Sequence, residues 1–315
     1  MRPALDRLVS VPANIVPEDS SVTVLRTHDG VTLRSAYFGS PEGAAGTVLL
    51  LPGRAEFIEK YLETVADLRQ RGFCVAVLDW RGQGGSSRSL ANPFKGHVDD
   101  FASYGVDLDC FLDHLDTIDA PRPWYGLAHS MGGSVLLAAL AAGEARLNRA
   151  VLSAPMLGIH AIGPGHPSAR LAQGLNLIGL GGAFVPFSGK KDASAFAPFE
   201  GNLLTSDRRR YERQVAILTA GEALALGPPT LSWVAAAFRL IRAMHEPSFG
   251  LAVRCPTLFV GAGADTIVST PDVERLARRI RGGSAVIIEG ARHELLMEAD
   301  RYRNQFWAAF DAFIH

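Results

Sequence analysis

The chain has 315 residues, of which 48% are hydrophobic, and this is enough material for a large buried core. Its 31 Lys and Arg residues nearly balance its 32 Asp and Glu residues, so the charge gives no indication of a nucleic-acid binder, which needs a clustered basic surface. Three cysteines, Cys74, Cys110 and Cys255, form no CxxC pair, and this argues against both a zinc ribbon and a disulfide framework.

Short apolar runs alternate with helical patterns along most of the chain. Residues 21–38 predict a hairpin, because two β-rich runs flank Asp29-Gly30, a dipeptide that suits a type I′ turn. Further strands are predicted at 47–51, 73–79, 124–128, 149–154, 255–261 and 284–289. Helices are predicted at about 57–71, 99–117, 131–143, 271–281 and 296–314. This alternation indicates a mostly parallel sheet that is covered by helices on both faces.

Residues 156–250 interrupt the alternation. They contain Gly- and Pro-rich stretches and two helical patterns, one beginning at 205–207 and the other near Pro229, and they show no strand-like run. We therefore predict an α/β core formed by 1–155 and 251–315, with a helical cap, or lid, inserted between two of its strands.

The N-terminal residues lack the apolar stretch of a secretory signal, and no run of 18 or more apolar residues is present. The expected location is therefore the cytoplasm. One apolar, Gly-rich stretch of the cap, 177–187, is a candidate for peripheral contact with a membrane, and a buried connector is the alternative. The sequence gives no indication of the oligomeric state.

The stretch YGLAHSMGGS (125–134) places Ser130 directly after a buried strand and directly before an Ala-rich helix. It resembles G-x-S-x-G, in which a serine occupies a sharp strand-to-helix turn. Such a turn needs small residues two positions to either side, and here they are Ala128 and Gly132. The alternative is an ordinary serine that caps the helix. The pattern nevertheless favours Ser130 as a nucleophile.

A serine hydroxyl needs a base, and the partners are expected in the order Ser, then Asp or Glu, then His. Asp265 follows one predicted strand and His293 follows the next, at the edge where open α/β sheets build their sites. Alone, Asp265 could cap a turn and His293 could be a loop residue, but their order predicts a triad of Ser130, His293 as base and Asp265 as orienting acid. The segment that begins at His293 lacks the second histidine of H-E-x-x-H, so no metal is predicted.

A negatively charged tetrahedral intermediate needs two backbone N–H donors, which together form an oxyanion hole. Met131, the residue after the candidate nucleophile, is expected to supply one of them. The second is expected from the loop after the strand at 47–51, where Arg54 is the candidate donor. The alternative is an ordinary strand-to-helix turn.

At this point the chain resembles the monoacylglycerol lipase and bacterial lysophospholipase branch of the α/β-hydrolases, which is sometimes grouped with the serine aminopeptidases. The motifs that carry the resemblance are PGRAEFIEKY (52–61), DWRGQGGSS (79–87), GHVDDFASYGVDL (96–108), AHSMGG (128–133), NLLTSD (202–207), GPPTLSW (227–233), GADTIV (263–268) and GARHELLMEAD (290–300). The resemblance implies the α/β-hydrolase fold, a mostly parallel eight-stranded sheet flanked by helices with a helical cap. It also implies a cofactor-free serine esterase that acts on a small acyl ester or monoacyl lipid, such as a lysophospholipid or a monoacylglycerol, through an acyl-enzyme.

The cap is expected to decide the substrate. Trp233, Phe238 and Phe196 are candidates to line an acyl pocket, and each could instead pack the cap on the core. An aminopeptidase of the same fold is an alternative function, and it needs a cap carboxylate for the substrate ammonium. The available carboxylates are Glu200, Asp207, Glu212 and Glu222. A non-catalytic, ligand-binding member of the fold is the third possibility.

Overall fold

The computed structural model describes residues 4–39, 43–160, 174–185 and 198–314. The strands are β1 (Ser20–Arg26), β2 (Thr32–Phe38), β3 (Thr47–Leu51), β4 (Cys74–Leu78), β5 (Trp124–His129), β6 (Leu147–Ser153), β7 (Thr257–Ala262) and β8 (Gly283–Ile288). The α-helices of these residues are α1 (Leu62–Gln70), α2 (Ala102–Thr117), α3 (Met131–Ala141), α4 (Arg208–Ala220), α5 (Leu231–His245), α6 (Pro247–Ala252), α7 (Thr270–Ala277) and α8 (Asp300–Ile314).

All eight strands form one sheet in the order β1-β2-β4-β3-β5-β6-β7-β8. The opening hairpin pairs antiparallel with itself and with β4, and the remaining pairs are parallel. Each residue of β3 and β4 is buried, because helices cover both faces of these central strands. The order of the strands reverses between β3 and β5. A site is expected at their carboxyl ends, since loops diverge there to leave a crevice. The predicted fold class, a mostly parallel eight-stranded sheet with flanking helices, is confirmed.

Among the helices between β6 and β7, α4 and α5 each begin at a residue whose side chain caps the helix. Asp207 accepts a hydrogen bond from the backbone N–H of Arg210 at the start of α4, and Thr230 accepts one from Trp233 at the start of α5. In the described part of 156–250, no strand joins the sheet. The division of the chain into core and cap stays a prediction.

Two features differ from the sequence-based expectation. The helix predicted at 57–71 begins as a 3-10 turn at Ile58–Tyr61 and becomes α-helical only at Leu62–Gln70. The short helix α6 was not predicted, although Pro247 at its first turn is a typical helix-start signal. Both differences concern short segments whose conformation is set by the residues that pack around them.

The N-terminal segment, residues 5–14, packs against both the sheet and α4. The backbone N–H of Val9 donates to the Glu59 carboxylate, and Asn14 donates to the Glu59 carbonyl, both on the 3-10 turn before α1. A small apolar cluster forms around this segment. Its members are Leu5, Val9, Val11, Phe57, Phe94, Ile217, Leu218, Leu224 and Ala225. This segment therefore joins α4 to the core from the outside.

None of the helices in the described ranges combines the length and the apolar character that a membrane span requires. Within the stretch 177–187, the side chains of Ile178 and Leu180 are exposed, at 71% and 47%. Residues 186 and 187 lie outside the described residues. Contact of this stretch with a membrane stays a prediction.

Candidate active site

Ser130 occupies the sharp turn between β5 and α3. Its backbone has φ +48° and ψ −114°, a region that residues with a side chain rarely adopt. Holding such a conformation costs about 1–3 kcal/mol, which the surrounding structure must offset. The Ser130 backbone is fixed on both sides, because its N–H donates to the Ser153 carbonyl and its carbonyl accepts from the Met156 N–H. The turn thereby lifts the hydroxyl above the end of the sheet.

Gly132 allows α3 to begin this close to the sheet. A Cβ atom at Gly132 would lie 2.4 Å from the Leu51 carbonyl oxygen and 2.5 Å from that of Pro52. Any side chain at this position would collide with these two carbonyl oxygens. The residue two positions after the serine must therefore be glycine. The other small neighbour, Ala128, is fully buried, and its single methyl group is accommodated.

Three predicted side chains meet at the carboxyl edge of the sheet. His293 Nε2 lies 3.0 Å from Ser130 Oγ, and His293 Nδ1 lies 2.7 Å from Asp265 Oδ2. All three residues are buried, with 4–8% of their surface exposed. In the tautomer that this network assigns, Nδ1–H donates to Asp265, and Nε2 accepts the Ser130 proton. This arrangement can activate the hydroxyl for attack on a carbonyl carbon.

The Asp265 carboxylate is stabilised in its charged form. Its Oδ1 accepts hydrogen bonds from the backbone N–H groups of Ile267 at 2.7 Å and Val268 at 3.0 Å. Burial alone would raise the pKa of Asp265, but the hydrogen bonds from His293 and these two amides hold that pKa below its ordinary value. The carboxylate therefore stays ionised and can stabilise a protonated imidazole.

Two backbone N–H groups near Ser130 are unpaired within the described ranges. They belong to Arg54, on the loop after β3, and to Met131, the first residue of α3. Gly53 brings the loop against the nucleophile, since a Cβ atom at Gly53 would lie 3.2 Å from Ser130 Cβ. Both groups are thus the candidate donors that the sequence predicted for an oxyanion.

Several side chains hold this loop in place. Glu56 accepts a hydrogen bond from the Gly53 N–H and another, at 2.5 Å, from the Tyr61 hydroxyl. Gln83 donates to the Gly53 carbonyl at 2.7 Å, and Trp80 donates to the Pro52 carbonyl at 2.8 Å. Because the loop is bonded from several directions before any substrate arrives, the free amide of Arg54 is preorganised.

A buried ion cluster borders the candidate catalytic groups. The Lys60 ammonium lies 2.7 Å from Glu56 Oε1 and 2.5 Å from Glu294 Oε1. Burial alone would lower the pKa of Lys60, but the two carboxylates raise it above its ordinary value. Burial raises the pKa of Glu294 above its ordinary value. Burial would also raise the pKa of Glu56, but the charges of Lys60 and His129 outweigh it and lower that pKa. Lys60 is therefore neutralised by its own neighbours.

A cavity of about 320 Å³ opens above Ser130 and His293. Much of its wall is apolar, and these residues are Met156, Ile159, Leu204, Leu218, Leu226, Trp233, Ile267 and Val268. Trp233 thus lies where an acyl-pocket residue was expected. Phe238 does not line the cavity, because it points into the hydrophobic core from α5. The third candidate, Phe196, lies outside the described residues.

The loop of His293 is bonded to the segment just before α4. Arg292 donates to the carbonyls of Asn202 and Thr205, both at 3.0 Å, and the Glu294 N–H donates to the Leu204 carbonyl at 2.9 Å. Residues 202–205 are therefore fixed to the loop that carries the candidate base His293.

Sequence reasoning missed Lys60 and Glu294 as site residues. One signal was available for Lys60, since Glu56 stands four residues before it, directly ahead of the helix predicted at about 57–71. Glu294 follows the candidate base directly, but its only recognisable pattern in the sequence is the incomplete H-E-x-x-H zinc motif. Nothing local in the sequence connects two residues that are 234 positions apart.

Comparisons with known proteins find relatives that match most of the chain. A family model described as serine aminopeptidase S33 matches residues 42–300. Lysophospholipase L2 of Escherichia coli K12 is 33% identical over 275 residues, which cover 82% of this chain and 76% of that protein. A probable lysophospholipase L2 of Haemophilus influenzae is 30% identical, over 87% of this chain and 86% of that protein.

Solved structures share the fold at lower identity. A monoglyceride lipase from Saccharomyces cerevisiae superposes with a TM-score of 0.74 at 17% identity, covering 96% of this chain and 97% of that one. A carboxyl esterase from Bacillus coagulans gives a TM-score of 0.73 at 15% identity, covering 95% and 98% of the two chains.

Proposed function

The chain belongs to the serine aminopeptidase S33 family of hydrolases, and from that premise we propose that it is an esterase of monoacyl lipids that works through an acyl-enzyme on Ser130. One observation carries the proposal. The hydrogen-bonded chain from Ser130 through His293 to Asp265 ends in a mostly apolar cavity beside two free backbone amides. The lysophospholipase and monoglyceride lipase names of similar proteins indicate the class of ester.

In the acylation step, Ser130 Oγ attacks the ester carbonyl carbon as its proton moves to His293 Nε2. The carbonyl π electrons move onto oxygen, where the N–H groups of Arg54 and Met131 stabilise the negative charge. When the tetrahedral intermediate collapses, the bond to the leaving alkoxy oxygen breaks, and that oxygen takes the proton from Nε2. The products are a free alcohol and an ester on Ser130.

In the deacylation step, water replaces the alcohol. His293 Nε2 takes a proton from the water as its oxygen attacks the acyl carbon, and the same proton then passes to Ser130 Oγ as that oxygen leaves. A carboxylic acid is released, and the serine is restored. Asp265 stays ionised throughout and stabilises the imidazolium that forms in both steps.

The wall of the cavity supports a fatty acyl substrate. Leu218, Leu226 and Trp233 come from the 156–250 insertion, so we propose that this insertion acts as a cap that closes the acyl pocket. A cavity with mostly apolar walls and a few polar groups is typical of a site for a small amphiphilic ligand.

The aminopeptidase alternative has less support in the described residues. Of the four cap carboxylates that it would need, Glu200 and Glu212 pair with Arg208, Asp207 pairs with Arg210, and none lines the cavity. The carboxylates that do line it, Glu56 and Glu294, are both bonded to Lys60. A substrate ammonium would have to displace that lysine.

The test compares purified wild type with Ser130→Ala on monoacylglycerols, lysophospholipids, p-nitrophenyl esters and an aminoacyl-naphthylamide. We expect the wild type to cleave esters but not the amide, and we expect the variant to be inactive. A fluorophosphonate should label the wild type at Ser130. If there is no turnover of any ester and no labelling, the proposal is wrong. Preferred cleavage of the naphthylamide would replace it with the aminopeptidase function.

Contact with a membrane remains part of the proposal, and it rests on the exposed side chains of Ile178 and Leu180. We expect Ile178→Asp to reduce co-sedimentation with phosphatidylglycerol vesicles, because a charge there opposes insertion into lipid. Ile15→Asp, at an exposed isoleucine of the N-terminal region, is the matched control. Equal co-sedimentation of the two variants and the wild type would remove this part of the proposal.

A further inference from the structure

The side chain of Arg54 lies in the catalytic cavity without an acidic partner. Its Nη2 donates to the Gly227 carbonyl at 2.5 Å, and its guanidinium carbon lies 5.3 Å from the centre of the Trp233 ring. Its Nε is buried and has no hydrogen-bond partner among the described residues. No carboxylate in that part of the chain forms an ion pair with this guanidinium, although the residue lines the cavity above Ser130.

Two other buried cations, Arg34 and Lys60, are each paired with carboxylates. Arg34 lies 2.7 Å from Glu59 and 2.6 Å from Asp79, and Lys60 is held between two carboxylates in the same cavity wall. A carbonyl and an aromatic face compensate the charge of Arg54 only in part. Burial lowers the pKa of Arg54 to about 10, so the side chain is still charged near neutral pH.

A buried charge without a counter-charge is costly, and the cost is recovered when a ligand supplies the opposite charge. A guanidinium presents a planar set of N–H donors that matches the oxygens of a phosphate. Lys60 cannot take this role, because its two carboxylates already neutralise it. The wall that carries Arg54 therefore suits an anionic group.

We propose that the Arg54 guanidinium binds the phosphodiester of a lysophospholipid headgroup while the acyl ester of the same molecule lies at Ser130. The inference rests on the esterase function proposed above and narrows its substrate. The proposed mechanism places the backbone amide of Arg54 at the ester carbonyl, and the Arg54 side chain would then lie within one side-chain length of the reacting ester. In a lysophospholipid, only the glycerol carbons separate the ester from the phosphate. A monoacylglycerol has no anion to offer.

The first experiment measures kcat/KM for lysophosphatidylcholine and for the monoacylglycerol with the same acyl chain. We expect Arg54→Gln to lower the ratio of the two values roughly 10- to 100-fold, as expected for the loss of a hydrogen bond to a charged group. Arg54→Lys should retain part of the preference. An unchanged ratio would overturn the inference. If the substitution only disturbed the backbone amide of this loop, kcat/KM would fall by the same factor for both substrates and the ratio would stay the same. Wild type that cleaves neither ester would instead overturn the proposed function itself.

A second variant displaces the guanidinium without changing Arg54. A Cβ atom at Gly96 would lie 2.6 Å from Arg54 Nη2, so Gly96→Ala pushes the side chain away and leaves the backbone of its loop intact. We expect the same direction of change in the substrate ratio. Gly105→Ala, whose new methyl group meets open space, is the matched control and should leave the ratio as in wild type. A wild-type ratio in Gly96→Ala would count against the inference.

A binding measurement separates the headgroup from other anions. Dodecylphosphocholine has the phosphodiester but no carboxylic ester that the enzyme could cleave, and dodecyl maltoside has the same tail with an uncharged headgroup. Both compounds are tested as inhibitors of p-nitrophenyl ester hydrolysis. We expect the Ki of dodecylphosphocholine to be roughly 10-fold higher for Arg54→Gln than for wild type, and the Ki of dodecyl maltoside to be the same for both. Equal rises would contradict a role in phosphate binding. Inorganic phosphate that inhibits as strongly as dodecylphosphocholine would show a site for free anions and would overturn the assignment to a lipid headgroup.

Discussion

At the scale of single residues, the site depends on which of the two ring nitrogens of His293 carries the proton. The proton must be on Nδ1, facing Asp265, so that Nε2 can accept from Ser130. The charged carboxylate enforces this tautomer, and the two backbone amides that bond to it keep it charged.

Asp265→Asn tests this directly. An asparagine amide can donate to Nδ1 and stabilise the opposite tautomer, in which Nε2 carries the proton and cannot serve as the base. We expect kcat on a p-nitrophenyl ester to fall by roughly 10,000-fold with little loss of stability.

The control for that variant is Asp113→Asn, at an exposed carboxylate on α2 that pairs with Arg146. It should keep the wild-type kcat. An Asp265→Asn enzyme that retained a tenth of the wild-type kcat would contradict the assigned role.

The proximity of Ser130, Asp265 and His293 could be predicted from sequence because each residue follows a strand, so one short motif and the chain order indicated it. The contacts of Arg54, Lys60 and Glu294 could not, since they join segments 173 and 234 positions apart. Such contacts depend on how elements pack, and a single sequence carries no local signal for that.

At the scale of elements, the junction of β5 with α3 depends on the missing side chain of Gly132. We expect Gly132→Ala to lower the free energy of unfolding by about 1–3 kcal/mol or more, because the new methyl group collides with two backbone carbonyls that cannot move aside. Urea unfolding followed by circular dichroism measures the change.

Gly105→Ala again provides the comparison. It lies inside α2, where a methyl group meets nothing within 4 Å, so the variant should gain about 0.5–1 kcal/mol from the lower entropy of its unfolded chain. If both alanines had the same effect, the steric account of the serine turn would be wrong.

Helix α4 is tied to the core by ion pairs that depend on pH. Arg210 donates to Glu63 on α1 through two hydrogen bonds of 2.7 and 2.9 Å, and Arg213 adds a third of 2.5 Å. Burial alone would raise the pKa of Glu63, but these arginines lower it to about 2 from an ordinary 4.5. A lowered pKa means that the stabilisation is complete above pH 4.5 and is lost as the pH falls towards 2.

We therefore expect Glu63→Gln to be less stable than wild type at pH 7, with the difference between the two shrinking as the pH falls from about 4.5 to 2. Urea unfolding at several pH values measures it. The exposed Glu212→Gln should show almost no difference from wild type at any pH. A Glu63→Gln difference that did not vary with pH would rule out the ion pair as its cause.

Long elements of regular pattern were predictable, including α4 and α5, because a capping residue and an apolar stripe mark each one. The 3-10 turn before α1 and the short helix α6 are set by their surroundings, which periodicity does not report.

At the scale of the whole molecule, the N-terminal segment joins parts of the fold that are distant in sequence. Val9 packs in the apolar cluster with Leu218, whose side chain also lines the catalytic cavity. We expect Val9→Asp to destabilise the protein by about 1–3 kcal/mol and to raise KM for long-chain esters, since it places a charge behind the pocket wall.

Ile15→Asp is the control for this effect. Ile15 is 73% exposed, and the substitution should change stability by less than about 0.5 kcal/mol. Thermal unfolding and steady-state kinetics on both variants test the difference. Wild-type behaviour of Val9→Asp would show that the segment does not support the cavity. The alternating pattern predicted the parallel sheet, but nothing in it placed residues 5–14, because they form no regular element.

The bonds between the His293 loop and residues 202–205 have a consequence for how ligands pass through the enzyme. If residues 202–205 moved outward to admit a ligand, the bonded His293 loop would move with them. The imidazole would then leave its position beside Ser130, and proton transfer would stop while the cavity was open. We therefore expect ligands to enter and leave through another part of the cavity wall, such as the part formed by Leu226 and Trp233. Fluctuations of that part of the wall during turnover can release the product and admit the next substrate while the hydrogen bonds between Ser130, His293 and Asp265 stay intact.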